Sequence, residues 1–205
     1  MKIGILGAGN IGGNLGKLWA AKGHEIFFAV RDPQSDKVKT LLHDLGDKVH
    51  KGSVKEAAAF GEVVLLAVHW QNVPEVLQEI SGLVDNKILI DSTNRMITPP
   101  PDTTGSAAED IARSLPTARV VKAFSTLGAN NLTNLKFGSE NASTFICGDD
   151  SEAKNIVTQL AEEISFDVVD IGLLNTAPLI ESLTKLWVQA SRKYGREIAL
   201  KLLRR

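Results

Sequence analysis

The chain has 205 residues, of which 43% are hydrophobic and 23% charged, and this composition is typical of a soluble globular domain with a modest extension. The formal net charge of −1 argues against nucleic acid or an anionic membrane as the main partner, and the single cysteine, Cys147, excludes an internal disulfide. No Cys/His cluster indicates a metal site and no apolar run is long enough to span a bilayer, so we expect no metal, no membrane contact and a cytoplasmic location.

The segment from Lys2 to Asp32 carries the most informative pattern. Lys2 to Leu6 is a short apolar run that predicts a buried strand, and Gly7-Ala8-Gly9-Asn10-Ile11-Gly12 follows it directly. Helical periodicity then continues to Gly23, and a second strand is predicted from His24 to Val30. A G-x-G-x-x-G between a strand and a helix is typical of dinucleotide sites, because the glycines permit a tight turn and let a pyrophosphate approach the helix N-terminus. The predicted cofactor contacts are Gly7, Gly9, Asn10, Ile11 and Gly12.

The end of the second predicted strand indicates which dinucleotide binds. NAD sites place an acidic residue there for the ribose 2′-hydroxyl, whereas NADP sites place an arginine that meets the 2′-phosphate. This chain has Arg31, with Ser35 and Lys37 close behind, and these residues favour NADP(H). Two alternatives stay open: Arg31 as an ordinary loop charge paired with Asp32, and Asp32 as the acidic partner of an NAD ribose.

Strands and helices alternate along the rest of the chain. This order predicts an α/β fold of the Rossmann type, with a doubly wound, mainly parallel sheet. The predicted helices cover 36–45, 54–60, 73–80, 106–115 and 151–164, and the further strands cover 48–50, 63–68, 87–91, 119–125, 143–148 and 166–171. The proline-rich segment 96–105 is predicted to be a loop at the mouth of the site.

Several polar residues follow the predicted central strands. Because ligands bind outside the carboxyl ends of the strands in such sheets, His69, Trp70, Thr93 and Asn94 are candidate site residues. His69 is a candidate proton or hydrogen-bond donor, with the alternative that it is a loop histidine bonded to a backbone carbonyl. Lys122 is a weaker candidate, because strand alternation favours an orientation away from the cofactor.

A long amphipathic helix is predicted from Leu179 to Leu203. Its apolar stripe contains Leu183, Leu186, Trp187, Ala190, Tyr194, Ile198 and Leu202, and its other faces are basic. We expect an NADP-binding domain over 1–172 and a C-terminal helical cap over 173–205 that packs on it. The basic face is interpreted as solvated; the alternatives are that it attracts an acidic substrate, or that the stripe completes a homodimer.

Four motifs together resemble one family. They are the N-terminal G-x-G-x-x-G, Val30-Arg31 after the second strand, Ala67-Val68-His69-Trp70 after the fourth, and Val121-Lys122-Ala123-Phe124-Ser125-Thr126 after the sixth. The whole chain thereby resembles the coenzyme F420-dependent NADP oxidoreductases, and it is similar to the cytosolic oxidoreductase domain of the six-transmembrane metalloreductases. The resemblance implies that Val68, His69 and Trp70 border the ribose and nicotinamide, and that Ala123, Phe124 and Ser125 line the nicotinamide pocket.

The resemblance also implies an activity. It is hydride transfer between NADP(H) and a flavin or deazaflavin acceptor such as F420, FMN or FAD. Such a reaction needs no nucleophile or acid–base pair, because the rings carry the chemistry while the protein holds them face to face. Two alternatives stay open: an NADPH-dependent reductase of a small imine or carbonyl compound, and a non-catalytic protein that senses NADP(H).

Overall fold

The computed structural model describes residues 1–32, 48–95 and 105–205. Ser35, Lys37, the predicted helix 36–45 and residues 96–104 of the proline-rich segment lie outside the described residues. The predictions made for them therefore stay predictions.

Strands and helices alternate along the described chain. The strands are β1 (Lys2–Leu6), β2 (Glu25–Ala29), β3 (Val49–Gly52), β4 (Val63–Leu66), β5 (Ile88–Asp91), β6 (Arg119–Lys122), β7 (Lys136–Phe137), β8 (Glu140–Asn141), β9 (Ser143–Gly148) and β10 (Asp167–Asp170). The α-helices are α1 (Asn10–Ala21), α2 (Val54–Phe60), α3 (Val73–Ile80), α4 (Ala107–Ser114), α5 (Ser151–Glu163) and α6 (Ala177–Tyr194). Short 3₁₀ helices lie at Trp70–Asn72, Ala129–Thr133 and Leu174–Thr176.

The main sheet has the strand order β10-β9-β6-β5-β4-β1-β2-β3. The strands from β6 to β3 run parallel, β9 pairs with β6 in the antiparallel sense, and β10 pairs in parallel with β9. The predicted Rossmann-type sheet is thus confirmed, with an antiparallel step added between β6 and β9. The strand order reverses between β1 and β4, which is the position where such sheets form their ligand crevice.

Apolar side chains cover both faces of this sheet. One layer joins alternate strand residues such as Ile5 and Val121 to Trp19 of α1 and Leu160 of α5. The other layer joins the intervening strand residues to α2, α3, α4 and α6. Burial on both faces explains why the central strands are apolar throughout rather than alternating.

Two predicted strands are shorter in the structure. The predicted strand 63–68 ends at Leu66, and the predicted strand 119–125 ends at Lys122. Phe124 takes a φ of 56°, which is incompatible with an extended strand. The apolar residues beyond each strand therefore belong to loops, and it is these loops that border the crevice.

The C-terminal helix is also shorter than predicted. α6 ends at Tyr194 rather than near Leu203, and Gly195 follows with a φ of 83°. A glycine in this conformation is a common way for a helix to end. The last residues form a non-helical tail, which is held by the Trp187 indole N–H donating to the Ile198 carbonyl at 2.8 Å and by the Ser143 amide donating to the Leu200 carbonyl at 3.1 Å.

The apolar stripe predicted for this helix is wrong in part. Leu186 is 55% exposed and Tyr194 is 68% exposed, whereas Trp187 is only 4% exposed. The face that packs inward combines apolar residues with the polar residues Glu181 and Thr184, which bond to the segments beside the sheet. Within the part of the chain that the structure describes, no helix combines the length and apolar character needed to cross a membrane.

Candidate active site

The carboxyl ends of four neighbouring strands meet at one edge of the sheet. Leu6 of β1 pairs with Leu66 of β4, Leu66 with Asp91 of β5, and Asp91 with Lys122 of β6. The glycine loop and the loops after β4, β5 and β6 therefore lie side by side. This edge brings together the described residues that the sequence predicted to form the site.

The glycine loop packs against the end of β4. Gly7 has a φ of 112°, and a Cβ atom there would lie 2.6 Å from the Ala67 carbonyl oxygen. A Cβ at Gly12 would lie 2.1 Å from the carbonyl oxygen of Gly7. At Gly9, by contrast, a Cβ would meet no atom within 4 Å. Gly7 and Gly12 are therefore needed by the fold, while the space beside Gly9 is open to a ligand.

Helix α1 begins directly after this open side. Gly9 is its N-cap, and the first bond within the helix joins the Gly13 amide to the Gly9 carbonyl at 2.8 Å. The amides before Gly13 have no acceptor inside the helix, and the first turn contains no acidic residue. A helix start of this kind suits a phosphate, because the amides point outward and the helix dipole favours negative charge.

Arg31 lies two residues beyond β2, next to the glycine loop. Ala29, the last residue of β2, pairs with Leu6 just before Gly7. Both Arg31 and Asp32 are exposed. Both residues therefore lie just beyond the end of β2 that is beside the glycine loop.

The loop after β4 borders the glycine loop. Val68 is half-buried, and its Cγ1 atom would lie 3.1 Å from a Cβ at Gly7. His69 is exposed, whereas Trp70 is half-buried beneath the guanidinium of Arg95, which lies 5.5 Å from the ring centroid. Arg95 also donates to the Ser106 carbonyl and forms an ion pair with Asp110 of α4. These contacts connect the loops after β4 and β5 to helix α4.

The predicted residues of the loop after β5 have different environments. Thr93 is 3% exposed, and its amide and hydroxyl both donate to Asp91 Oδ1, at 2.8 and 2.7 Å. Its side chain is therefore engaged within the fold. Asn94 is half-buried, and its Nδ2 donates to the Ser125 carbonyl at 3.1 Å, so it joins the loops after β5 and β6.

The residues of the loop after β6 also differ in their environments. The Phe124 ring lies 5.7 Å from Trp19 and 5.6 Å from Phe166, and Ala123 is fully buried. The Phe124 side chain therefore belongs to the core, and the Phe124 amide donates to Thr144 Oγ1 at 3.2 Å. Ser125 is 7% exposed, and its carbonyl accepts from both Asn94 and the Thr184 hydroxyl of α6.

Lys122 is held in a buried ionic cluster. Its Nζ atom lies 2.8 Å from Asp91 Oδ2, 2.6 Å from the Thr93 carbonyl and 3.7 Å from Glu181 Oε1. Glu181 in turn accepts from the Ala107 amide at the start of α4. An ammonium group with three such neighbours and no exposure is enclosed within the fold, and it is not placed to exchange protons with a substrate.

The neighbouring Cys147 also belongs to the core. Burial raises the pKa of its thiol to about 11, so the thiol stays protonated at neutral pH. A buried, protonated thiol is a poor nucleophile. Among the described residues predicted for the site, His69 is therefore the remaining candidate for proton exchange with a substrate.

Two side-chain oxygens at this edge are buried without a hydrogen-bond partner. They are Asn94 Oδ1 and Ser125 Oγ. Among the described residues, the one further buried side-chain atom without a hydrogen-bond partner is Arg95 Nη1. An unsatisfied buried polar group costs about 1–3 kcal/mol, so such groups are retained where a ligand can satisfy them. These oxygens, the open side of Gly9 and the start of α1 fit a dinucleotide that extends from β2 to β6.

Asp91, Glu181 and Thr184 were missed by the sequence reasoning. Asp91 ends an otherwise apolar strand, which is a signal that could have been used. Glu181 and Thr184 give no comparable signal, because they become part of the site only when α6 packs beside β6. The parallel sheet, the glycine turn and the helix that begins directly after it are the features of a Rossmann-type dinucleotide-binding domain.

Comparison with known proteins gives the family. Residues 2–95 match the family described as "NADP oxidoreductase coenzyme F420-dependent". The F420-dependent NADP reductase of Methanocaldococcus jannaschii is 28% identical over 214 residues, which cover 95% of this chain and 94% of that protein. A crystal structure from Arthrobacter sp. FB24, described as that of "a putative f420 dependent nadp-reductase", is 29% identical in sequence and superposes with a TM-score of 0.88 over the full length of both chains.

A second relative is longer. The metalloreductase STEAP3 of Rattus norvegicus is 29% identical over 187 residues, which cover 89% of this chain but 36% of that protein. The chain thus spans about a third of the length of this relative. The predicted resemblance is confirmed: the chain is a relative of the coenzyme F420-dependent NADP oxidoreductases and an NADP-dependent oxidoreductase.

Proposed function

We propose that this protein transfers hydride between NADP(H) and a flavin or deazaflavin acceptor. The observation that carries the proposal is the continuous edge from Arg31 through the glycine loop to Asn94 and Ser125. Along it lie a cation for a 2′-phosphate, amides for a pyrophosphate and two unpartnered oxygens for the nicotinamide end. This order of groups corresponds to the order of parts in NADP(H).

Each part of the cofactor would be held by a different residue along this edge. Arg31 would meet the 2′-phosphate, Gly9 would let the pyrophosphate approach α1, and Val68 would pack beside the ribose next to the nicotinamide. When bound, NADPH supplies a hydride that, with one proton, reduces an acceptor ring by two electrons. The protein contributes orientation and exclusion of water, which agrees with the structural rather than catalytic position of Lys122.

The nature of the acceptor is supported by the chemistry of the site. A ring-to-ring transfer needs no general acid of its own, and exposed His69 is open to solvent from which the proton can come. A small imine substrate would need a positioned proton donor, and Lys122, the other candidate, is enclosed by Asp91 and Glu181. A flavin or deazaflavin is therefore the better match.

The test is a fluorescence titration of the purified protein with NADPH and NADH, using wild type and Arg31→Ala. We expect NADPH to bind at least tenfold more tightly, a difference of about 1.4 kcal/mol, and Arg31→Ala to remove this preference. Lys22→Ala is the matched control, because it removes an exposed charge at the C-terminal end of α1, at the opposite edge of the sheet.

NADPH oxidation is then followed with FMN, riboflavin and F420, and with a cyclic imine for comparison. Turnover with a flavin or deazaflavin is the expected result. Equal binding of NADH would overturn the NADP assignment. Oxidation with the imine alone would favour the small-substrate reductase, and binding without oxidation by any acceptor would contradict the proposed reaction.

A further inference from the structure

The tail after helix α6, residues 196–202, is bonded to the loop that follows β6. Asn131 of this loop is 5% exposed, and its Nδ2 atom donates to the carbonyls of Arg196 and Ile198, at 2.9 and 3.1 Å. The Ile198 carbonyl also accepts from the Trp187 indole N–H of α6 at 2.8 Å. One tail carbonyl thus receives a donor from the loop and a donor from the helix, and this joins the three segments at one point.

The same loop contacts helix α1 on its other side. The Asn14 side chain, in the second turn of α1, donates to the Ala129 carbonyl at 3.2 Å. Gly128 packs so closely on α6 that a Cβ atom there would lie 2.4 Å from Trp187 Cη2. Residues 128–133, the bridging loop, therefore connect the helix that begins at the glycine loop with the C-terminal helix.

The bridging loop borders the crevice. The chain leaves the sheet at Lys122, where the ends of β1, β4, β5 and β6 share one edge. Since β5 and β4 lie between β6 and β1, a chain that leaves β6 and reaches α1 runs alongside this edge. The tail lies at the same end of the sheet, because β9 is antiparallel to β6 and its first residue, Ser143, donates its amide to the Leu200 carbonyl at 3.1 Å.

The tail has an anchor that is separate from the loop. Lys201 Nζ lies 2.8 Å from Asp167 Oδ2 and 3.4 Å from Glu140 Oε2, and the Leu202 amide donates to Ser143 Oγ at 3.3 Å. These contacts attach the tail to β8, β9 and β10. A segment that is fixed at one end to the sheet and bonded at the other end to a loop can restrain the movement of that loop.

We propose that the tail is a strap that holds the bridging loop against α1 and thereby limits the rate at which NADP(H) leaves the crevice. This inference rests on the proposed NADP(H) function. Asn131 and Trp187 are positioning residues, because they act on the cofactor through the loop. A ligand enclosed beside a loop leaves when the loop opens, and such opening steps limit turnover in many enzymes.

The experiment measures the dissociation rate of NADPH by stopped-flow fluorescence, with excess NADP⁺ as the displacing ligand. The variants are Asn131→Ala and Trp187→Phe, of which the second removes the indole N–H and keeps an aromatic ring. We expect each to raise the dissociation rate roughly fivefold and to change the association rate less, because each removes a hydrogen bond that closes the strap.

Lys87→Ala is the matched control. Lys87 Nζ donates to the Ala58 and Ala59 carbonyls at 2.8 and 2.9 Å, at the opposite edge of the sheet. Its removal costs hydrogen bonds of the same kind but should leave the dissociation rate unchanged. Melting temperatures are recorded for every variant, and Asn131→Ser replaces Asn131→Ala if the alanine variant does not fold.

A second measurement uses the wild-type protein. Because coupling between two sites is reciprocal, a strap that retains NADPH must itself be held more firmly when NADPH is bound. Saturating NADPH should therefore slow tryptic cleavage after Arg196 at least threefold, since cleavage requires local release of the tail. Cleavage after Lys22, at the opposite edge of the sheet, reports any general stabilisation by the ligand.

Two results would overturn the inference. One is a wild-type dissociation rate in both folded strap variants. The other is cleavage after Arg196 that NADPH slows no more than cleavage after Lys22. A wild-type protein that binds neither NADPH nor NADH would contradict the proposed function instead, whereas tight NADPH binding with unaltered dissociation in the variants would contradict the strap alone.

Discussion

The glycines of the first loop show how residues of one type serve different purposes. A Cβ at Gly12 would overlap the Gly7 carbonyl oxygen at 2.1 Å, whereas a Cβ at Gly9 would meet nothing within 4 Å. Gly9 also has extended backbone angles, φ −74° and ψ −163°, which any residue can adopt. Gly12 is therefore required by the packing of α1 on the sheet, whereas the fold does not require a glycine at position 9, and the proposed approach of a pyrophosphate would account for it.

We predict opposite effects for alanine at these two positions. Gly9→Ala should leave the melting temperature unchanged and weaken NADPH binding at least tenfold, because its methyl group occupies the approach of the pyrophosphate. Gly12→Ala should lower stability by about 1–3 kcal/mol, the usual cost of overpacking. Thermal unfolding and NADPH titration measure both effects.

Gly13→Ala is the control for this pair. Its Cβ would lie 3.5 Å from the Ala8 carbonyl oxygen, an ordinary contact, so stability should be kept or slightly increased. An unchanged NADPH affinity in Gly9→Ala would show that the pyrophosphate does not approach the loop at this point.

At the scale of elements, an ion pair joins β6 to the start of α5. Arg119 Nε and Nη2 donate to the two oxygens of Asp150, each at 2.8 Å, and Asp150 also caps α5 by accepting from the Ala153 amide. The hydrogen bond from Arg119 is the main reason why the pKa of Asp150 is lowered from 3.8 to about 2. This contact ties the helix after β9 to the last parallel strand.

Asp150→Asn should lower the melting temperature at pH 7, and the difference from wild type should shrink as the pH falls from 4 towards 2. The reason is that the folded protein holds Asp150 ionised below its ordinary pKa, so the stabilisation is complete above pH 4 and is lost through the lowered pKa. Asparagine keeps the helix cap, so the effect isolates the charge. The effect should be small, because the pair is partly exposed.

Circular dichroism melts at several pH values measure this difference. Glu152→Gln is the control, because Glu152 is 76% exposed where it meets Arg119, and its loss should matter less. A difference between Asp150→Asn and wild type that does not change with pH would contradict the assignment to the ion pair.

The charge of the whole molecule is nearly balanced, but the C-terminal part is basic. The basic residues from α6 onward are Lys185, Arg192, Lys193, Arg196, Lys201, Arg204 and Arg205. Lys185 and Arg192 follow Glu181 by four and eleven residues, so helical spacing puts them on the flank of α6 that carries Glu181. That flank meets Lys122 and the start of α4, beside the loops after β5 and β6.

An acceptor that carries a phosphate should therefore react better than its uncharged analogue. We predict a lower KM for FMN than for riboflavin, because the two share one ring and differ in the phosphate. Lys185→Ala combined with Arg192→Ala should raise the KM for FMN about tenfold and leave that for riboflavin unchanged, and added salt should have the same effect. Steady-state NADPH oxidation gives these values.

Lys193→Ala is the matched control for this prediction. Lys193 is one residue further along, about 100° away around the helix, and its ammonium group lies 5.2 Å from the Tyr194 ring centroid. Its removal should leave both KM values unchanged. Equal KM values for FMN and riboflavin in the wild type would contradict a role for this flank in binding the acceptor.

The local patterns of the chain were sufficient to predict the sheet and one half of the site. A strand, a glycine turn and a helix follow one another within β1 to α1, so their contacts are set by neighbours in sequence. The alternation of strands and helices then predicts which loops share an edge, and His69, Thr93 and Asn94 were predicted in this way, whereas Ser125 was predicted from the family resemblance. Arg31 was found by the same logic, from its position just after β2.

Only the tertiary structure decided how the other half of the site is held. Thr184 and Ser125 lie 59 residues apart, and Lys122 meets Glu181 only because α6 packs beside β6. Hydrophobic periodicity misled the prediction of α6, because the helix turns polar residues towards the loops and leaves Leu186 exposed. Hydrogen bonds between distant segments depend on how the elements pack, and no local pattern records that packing.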